Sequence, residues 1–323
     1  MKKPKLKNRI EQKFGWDVSG LGTYVDEQSD EIIPALIYGA RTAGLVTVME
    51  GVKGSEEIKL IDTNLVLQDA STCGRSASGG TILTDKQMTV RPIKSEQDFC
   101  EEDLINSWGQ LGLPNGVRNQ RENLAYEDLI IAHQVGKINE ANEVLIWRGD
   151  TAKVAPNENK IDGFKKILDA DATVTNPNSG GAITSITASN VISILQSVFN
   201  AMKTPVRKRE HRIFVGQEVF DLYITAVTNA NLFHHNLIND STSATLIGTT
   251  TTIELVDGLD GTNSIYAGPL DRMFVGTDLQ SDFENFSVYY SRETDKIYVD
   301  VKYRLGVQFV YGTEFVKWLL PAS

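Results

Sequence analysis

The residues that could do chemistry are few in this chain of 323, and their spacing fails each time. Gly20-Leu21-Gly22 opens like a dinucleotide-binding turn, where glycines let the backbone approach a pyrophosphate, but Val25 stands where the third glycine belongs. Gly74, Ser76 and Ser78 miss the spacing of a nucleophile elbow by one residue. His234 and His235 are adjacent, so they cannot share one helix face as a zinc pair must. Asp257-Gly-Leu-Asp260-Gly261 resembles a calcium loop but lacks the downstream bidentate Glu, and a Gly-rich turn accounts for it better. Glu101, Glu102 and Asp103 suit a helix start, where carboxylates meet the positive end of the dipole. His133 stands alone in a helical pattern and reads as a packed or hydrogen-bonded side chain. Cys73 and Cys100 are too few for a disulfide framework or a four-thiolate zinc site. The expectation is a non-enzymatic chain with no cofactor and no metal.

Composition narrows the class. Hydrophobic residues make up 41% and charged ones 23%, ordinary for a chain that buries a core. At about 150 residues per domain, the length suits about two domains. No apolar run approaches the roughly 20 residues of a membrane helix, and the basic start has no apolar segment behind it, so no signal peptide is read. An intracellular origin is the simplest reading. The net charge of −10 hides an asymmetry. Lys2, Lys3, Lys5, Lys7, Arg9 and Lys13 face only Glu11, giving the first thirteen residues +5 and the rest −15. Such a start reads as an arm that meets a polyanion or an acidic neighbour; a solvated, disordered terminus is the open alternative.

The elements that would carry these residues are extended ones. Ser29 and Asp30 offer N-caps for a helix from about Glu31 through Leu36, Leu45 and Val48, closed by Gly51 and Gly54. Residues 56–69 and 81–93 read as two strands around a tip of small residues, Ala70 to Gly80. That makes a hairpin about 40 Å long and thinly supplied with large apolar groups. A lone two-stranded hairpin is marginal in water, so it packs on a neighbouring subunit or folds back on its own domain. Ser95 with Asp98 suggests a short helix through Leu104 and Trp108. A long helix follows over 122–148, with Leu124, Ile131, Val135, Ile138 and Leu145 as its stripe and Gly149 as its C′ stop.

Residues 150–282 read as a second module. It has helices after Ser189 and over 217–225, and short strands at 212–215, 253–256, 264–267 and 273–275. Thr228 to Thr252 reads mostly as loop. The clearest pattern comes last. Ile297, Val299, Val301, Tyr303, Leu305, Val307, Phe309 and Tyr311 alternate with polar residues, as a half-buried strand does. Gly306 within it marks a bulge or a close contact, and Phe286 to Tyr290 is the expected partner strand.

The order of these parts resembles the major capsid proteins of tailed bacteriophages, the Hong Kong 97-type fold, over nearly the whole chain. Residues 1–54 resemble the N-arm and first helix, and the hairpin of 55–94 resembles the E-loop. The helix ending Trp147-Arg148-Gly149-Asp150 looks like the spine helix of the P domain, taken as 95–160. Ile161-Asp-Gly163-Phe164 looks like the entry to an A domain over 161–282, which Arg212 to Tyr223 also resembles. Tyr303-Arg304-Leu305-Gly306-Val307 falls in the stretch, 283–323, that resembles the β-hairpin returning to the P domain.

The resemblance implies an α+β structural subunit that self-assembles into hexamers and pentamers of an icosahedral shell around double-stranded DNA. The shell would form in the host cytoplasm and persist as the virion capsid. No long helical scaffolding region is seen, which implies a separate scaffolding protein or prior cleavage; a portal is the other implied partner, and no membrane is. The basic residues of the arm would meet neighbours or DNA. Leu65, Leu67, Arg75 and Lys86 would make E-loop contacts, and Tyr303, Arg304, Gly306 and Phe309 would form the P-domain strand. No motif identifies a crosslinking partner for Lys86. The alternatives are an encapsulin-like compartment, against which the basic, Pro-containing start argues; a β-rich tail or adhesin module, which the long helix contradicts; and an unrecognised hydrolase.

Overall fold

A computed structural model describes residues 39–67, 79–100, 126–230, 238–240, 242–278, 286–291, 293–294 and 296–321. The described elements run α1 (Arg41–Leu45), β1 (Thr47–Met49), β2 (Ser55–Leu65), β3 (Gly79–Thr89), β4 (Arg91–Cys100) and α2 (Tyr126–Arg148). Then come α3 (Phe164–Ala170), α4 (Val191–Ala201), α5 (Thr204–Arg207), β5 (His211–Val215) and α6 (Gln217–Asn229). The remainder is β6 (Ile238–Asp240), β7 (Ser243–Thr245), β8 (Thr252–Leu255), β9 (Ile265–Pro269), β10 (Met273–Thr277), β11 (Phe286–Ser291), β12 (Lys296–Phe309) and β13 (Val316–Trp318). These fall into two units, one of Ala40–Arg91, Glu140–Asp278 and Arg304–Ser323, the other including Pro92–Asn139 and Leu279–Tyr303.

The first unit is built on a six-stranded sheet in the order β13-β9-β5-β8-β7-β6. α4 lays Val191, Ile194, Leu195 and Val198 on the core, the i, i+3, i+4, i+7 spacing of one helix face. α6 does the same with Val219, Phe220, Tyr223, Ala226 and Val227. Tyr223 also has its hydroxyl satisfied: it donates to Thr245 O at 2.7 Å and accepts from Ile247 N–H at 3.0 Å.

A second set of contacts surrounds Trp147 at the end of α2. Its ring lies 5.5 Å from Phe164, 5.0 Å from Phe214 and 5.9 Å from Tyr266, centroid to centroid. Just past it, Gly163 N–H donates to Gly149 O at 2.8 Å. A Cβ on Gly149 would stand 2.4 Å from Leu145 O, and one on Gly163 would stand 2.6 Å from Trp147 O. The two glycine-containing motifs of the sequence therefore meet, and both need glycine for space. Gly149 ends α2 through this close approach rather than through a left-handed C′, since its φ is not among the positive ones.

The hairpin of β2 and β3 belongs to the same unit, as do β1 and β10. β1 pairs parallel with β10, and β10 pairs antiparallel with the end of β12, from Met273↔Phe309 to Thr277↔Leu305. In the second unit β11 pairs with the start of β12, from Phe286↔Val301 to Ser291↔Lys296, and β4 also pairs with β12. Tyr289 and Tyr298, directly opposite in that register, stack at 5.4 Å. The alternation expected for the last strand holds: Val299, Val301, Tyr303, Leu305, Val307 and Phe309 are all buried. Gly306 marks a close contact and not a bulge, because the register passes through Gly276↔Gly306 unbroken.

Some expectations need correction. The helix read from Glu31 to Val48 is, in its described part, only α1. Val46-Thr47-Val48 leaves it for strand geometry, which β-branched side chains favour and the pairing with β10 rewards. Ser95 and Asp98 do not start a helix. They lie in β4, and the Asp98 carboxylate pairs with Lys296 at the start of β12. Pro92 does not end the strand run; it takes the second position of β4, where a missing N–H is tolerated. The 228–252 stretch holds β6 and β7 besides loop. His133 is exposed rather than packed. Tyr311 leaves the alternating pattern altogether, with φ 54 and ψ 65 in the left-handed region.

Candidate functional site

The hairpin is the feature on which the candidate residues converge. Its register runs without a break from Ser55↔Thr89 to Leu65↔Gly79. Alternation sends Ile58, Leu60, Ile82 and Met88 to one face and Ile61, Leu83 and Leu65 to the other. Near the base the first face is covered: Met88 is fully buried among Val52, Val90, Met49, Ile58 and Phe274. Further out both faces are bare. Ile61 is 59% exposed, Leu65 75%, Leu67 88%, Ile82 64% and Leu83 70%. Large apolar side chains bare on both faces of one short segment, among the described residues, are more than the scattered single residues of an ordinary surface.

The base is held by the segment 304–311. Arg304 donates to Lys53 O and lies 3.4 Å from the Asp278 carboxylate. A Cβ on Gly306 would stand 2.3 Å from Thr89 O, so only glycine lets β12 pass the end of β3 this closely. Gln308 Nε2 donates to Gln87 O at 2.7 Å. The Lys86 ammonium sits 3.8 Å over the Phe309 ring and 3.1 Å from the Asp171 carboxylate. Burial pushes the Asp171 carboxyl up, but hydrogen bonds from Thr173 and Lys86 outweigh it and hold the group below its ordinary value. Tyr311 completes the set: its hydroxyl accepts from Ile61 N–H at 3.2 Å and donates to Ile61 O at 3.0 Å.

Of the residues expected to act, Leu65 and Leu67 lie at the bare end. Lys86 touches Asp171 and Phe309 of its own chain, and Tyr303, Arg304, Gly306 and Phe309, expected in one strand, all lie in β12, the last three against the base of the hairpin. Arg75 and the basic residues Lys2, Lys3, Lys5, Lys7, Arg9 and Lys13 lie outside the described residues, as do Gly20-Gly22, Gly74 to Ser78, Glu101 to Asp103 and His234-His235. The sequence reading missed Ile82 and Leu83, although an apolar pair beside a small-residue tip is a legible sign. It also missed Asp171, which nothing in the sequence marks, and the part that Tyr311 plays.

The other candidate chemistry resolves into structure. Asp260 Oδ1 accepts from Gln217 N–H at 2.7 Å and Gly261 N–H donates to Glu218 Oε1 at 2.8 Å, so the Asp257–Gly261 turn caps the start of α6. Buried Glu254 pairs with both Arg41 and Arg212. Buried Glu143 accepts from Thr42 N–H and Oγ1–H, tying α1 to α2. Among the described residues no group of His, Cys, Asp and Glu could hold a metal, and no helix is long and apolar enough to cross a membrane.

No protein-family model and no curated protein matches this chain. Solved structures do match in fold. A chain from Gordonia phage Cozz aligns with a TM-score of 0.61 at 11% identity, covering 88% of this chain and 87% of that one. A chain of the satellite phage P4 procapsid that includes the size determination protein gives 0.59 at 10%, covering 90% and 97%. A chain from the capsid of an empty GTA particle gives 0.54 at 10%, covering 88% and 90%. At such identities the likeness is one of fold. The chain has the mixed α+β, Hong Kong 97-type fold of phage capsid proteins.

Proposed function

We propose that this chain is the major subunit of a phage capsid, assembling through hexamers and pentamers into an icosahedral shell around double-stranded DNA. The observation that carries the reading is the bare outer half of the hairpin on a chain with a capsid fold. Covering a Leu or Ile side chain fully contributes about 1.5–3 kcal/mol, so a neighbouring copy laid over Ile61, Leu65, Leu67, Ile82 or Leu83 gains a contact that the described residues of one copy do not supply. The body of the chain suits the inside of such a shell, since its charge of −15 repels DNA and leaves the genome free to move during filling. A separate scaffolding protein and a portal are the further partners this reading requires, with assembly in the host cytoplasm.

Electron microscopy of the purified protein tests it. Closed icosahedral particles or six-fold rings are expected, and a monodisperse monomer at all concentrations overturns the reading. Leu65→Asp and Leu67→Asp are expected to leave soluble subunits or capsomers that do not close. Normal particles from both variants would remove the hairpin from assembly.

A further inference from the structure

We propose that Tyr311 and Lys86 form a two-point clamp that sets the direction in which the hairpin presents its apolar end. A hairpin joined to its body at one strand retains a rotation about that strand. Here each strand has its own hold. On β2, the Tyr311 hydroxyl takes both the N–H and the C=O of Ile61, the outward-facing pair of that residue, and so closes the open strand edge at that point. On β3, Lys86 is gripped between the Asp171 carboxylate and the Phe309 ring. Ile61 pairs with Leu83, three residues from Lys86, so the two holds lie on opposite strands and at different heights.

Both holds come from one corner. Phe309 ends β12 and Tyr311 follows it in a left-handed conformation, uncommon for an aromatic residue. Three contacts keep the corner there. The Arg272 guanidinium lies 4.7 Å from the centre of the Tyr311 ring. Glu314 draws in Arg209 at 2.8 Å and Arg272 at 3.7 Å, and its N–H donates to Tyr311 O at 2.8 Å. Gly312 packs so tightly on the Asp171–Thr173 turn that a Cβ would stand 2.2 Å from Thr173 Oγ1. Asp171 therefore abuts the corner on one side and holds Lys86 on the other. A left-handed tyrosine aimed at a strand edge is what a positioning residue requires; packing alone needs neither the hydroxyl nor the φ.

The link from hairpin direction to particle geometry rests on the shell reading above, and the experiment separates the two. Tyr311→Phe removes only the hydroxyl, and Lys86→Gln only the charge. In the full chain, each is expected to raise amide exchange over residues 58–63 and 81–86 about tenfold while leaving the melting transition of the body in place. Each is also expected to turn particles of one diameter into a mixture of sizes and open sheets. Unchanged exchange in both variants overturns the clamp. So do a loosened hairpin and wild-type particles together, because the direction would then not depend on these residues. If Tyr311→Phe fails to fold, Lys86→Gln repeats the test with the corner intact. If the wild-type chain forms no particles, the shell reading fails, and the exchange measurement still decides whether the two residues hold the hairpin.

Discussion

Glu143 shows how a single buried carboxylate ties the start of the described chain to its long helix. Both of its oxygens are used by Thr42, one by the N–H at 2.9 Å and one by the hydroxyl. The hydroxyl has no other proton to give, and it accepts from Trp147 Nε1–H at 2.6 Å. Burial pushes the Glu143 carboxyl above its ordinary value, Thr42 pulls it back, and Asp257 adds to the rise. A carboxyl raised in the folded state binds more protons folded than unfolded, so stability falls as pH rises from the ordinary carboxylate range through the folded value. Glu143→Gln is expected to remove that slope and still to destabilise, by about 1–3 kcal/mol at neutral pH, because an amide offers Thr42 one acceptor and faces its other donor with an N–H. Urea midpoints across a pH series check both parts, and equal stability at neutral pH would contradict the assignment. Asp171 has the opposite sign. Its carboxyl is held low, so the stability it contributes is present above the ordinary aspartate value and is lost as pH falls through the folded one. Acid should therefore raise amide exchange over residues 81–86 in the wild type, and raise it less in Lys86→Gln, where the pair is already gone.

Among elements, β12 decides most. It pairs with β11 over its first residues and with β10 over its last, and at that end it also seats the hairpin. Gly306→Ala places a methyl 2.3 Å from Thr89 O and 2.9 Å from Val90 Cα, both backbone atoms that cannot rotate away. A loss of about 1–3 kcal/mol is expected, together with faster protease cleavage between residues 55 and 90; an unchanged cleavage rate would mean that β12 does not seat the hairpin. How much of this is legible in the sequence differs by element. The alternation from Val299 to Phe309 and the helical stripe of α4 are legible because side-chain period maps directly onto a buried face. Gly306 can be flagged as a place of close approach, but what approaches it, Thr89 and Val90, comes from a distant part of the chain. β4 was misread because Ser95 and Asp98 make a good local helix start, and only the pairing with β12 overrides it. The Tyr311 corner was not legible at all: a tyrosine in step with an apolar alternation gives no sign of a positive φ, and its partner Ile61 stands 250 residues away.

At the scale of the whole molecule, charge rather than packing is the term left over. The first thirteen residues carry +5 against a remainder of −15, and they lie outside the described residues. Between copies, so basic a segment is attracted to any acidic surface within about a Debye length, roughly 10 Å at 0.1 M salt, and a neighbouring copy with its charge of −15 offers one such surface. DNA and an acidic scaffold are others. These attractions are screened by salt, whereas the apolar contact proposed for Leu65, Leu67 and Ile82 is not. A chain lacking residues 2–13 should therefore assemble less at low salt than the full chain and change little as salt is raised. The full chain should lose particle yield over the same series and converge on the truncated one. Running the series with and without added DNA separates the partners: a difference seen only with DNA assigns the arm to the genome, and one seen without it assigns the arm to protein. Equal yield and equal salt response in the two chains would show that residues 2–13 take no part in assembly.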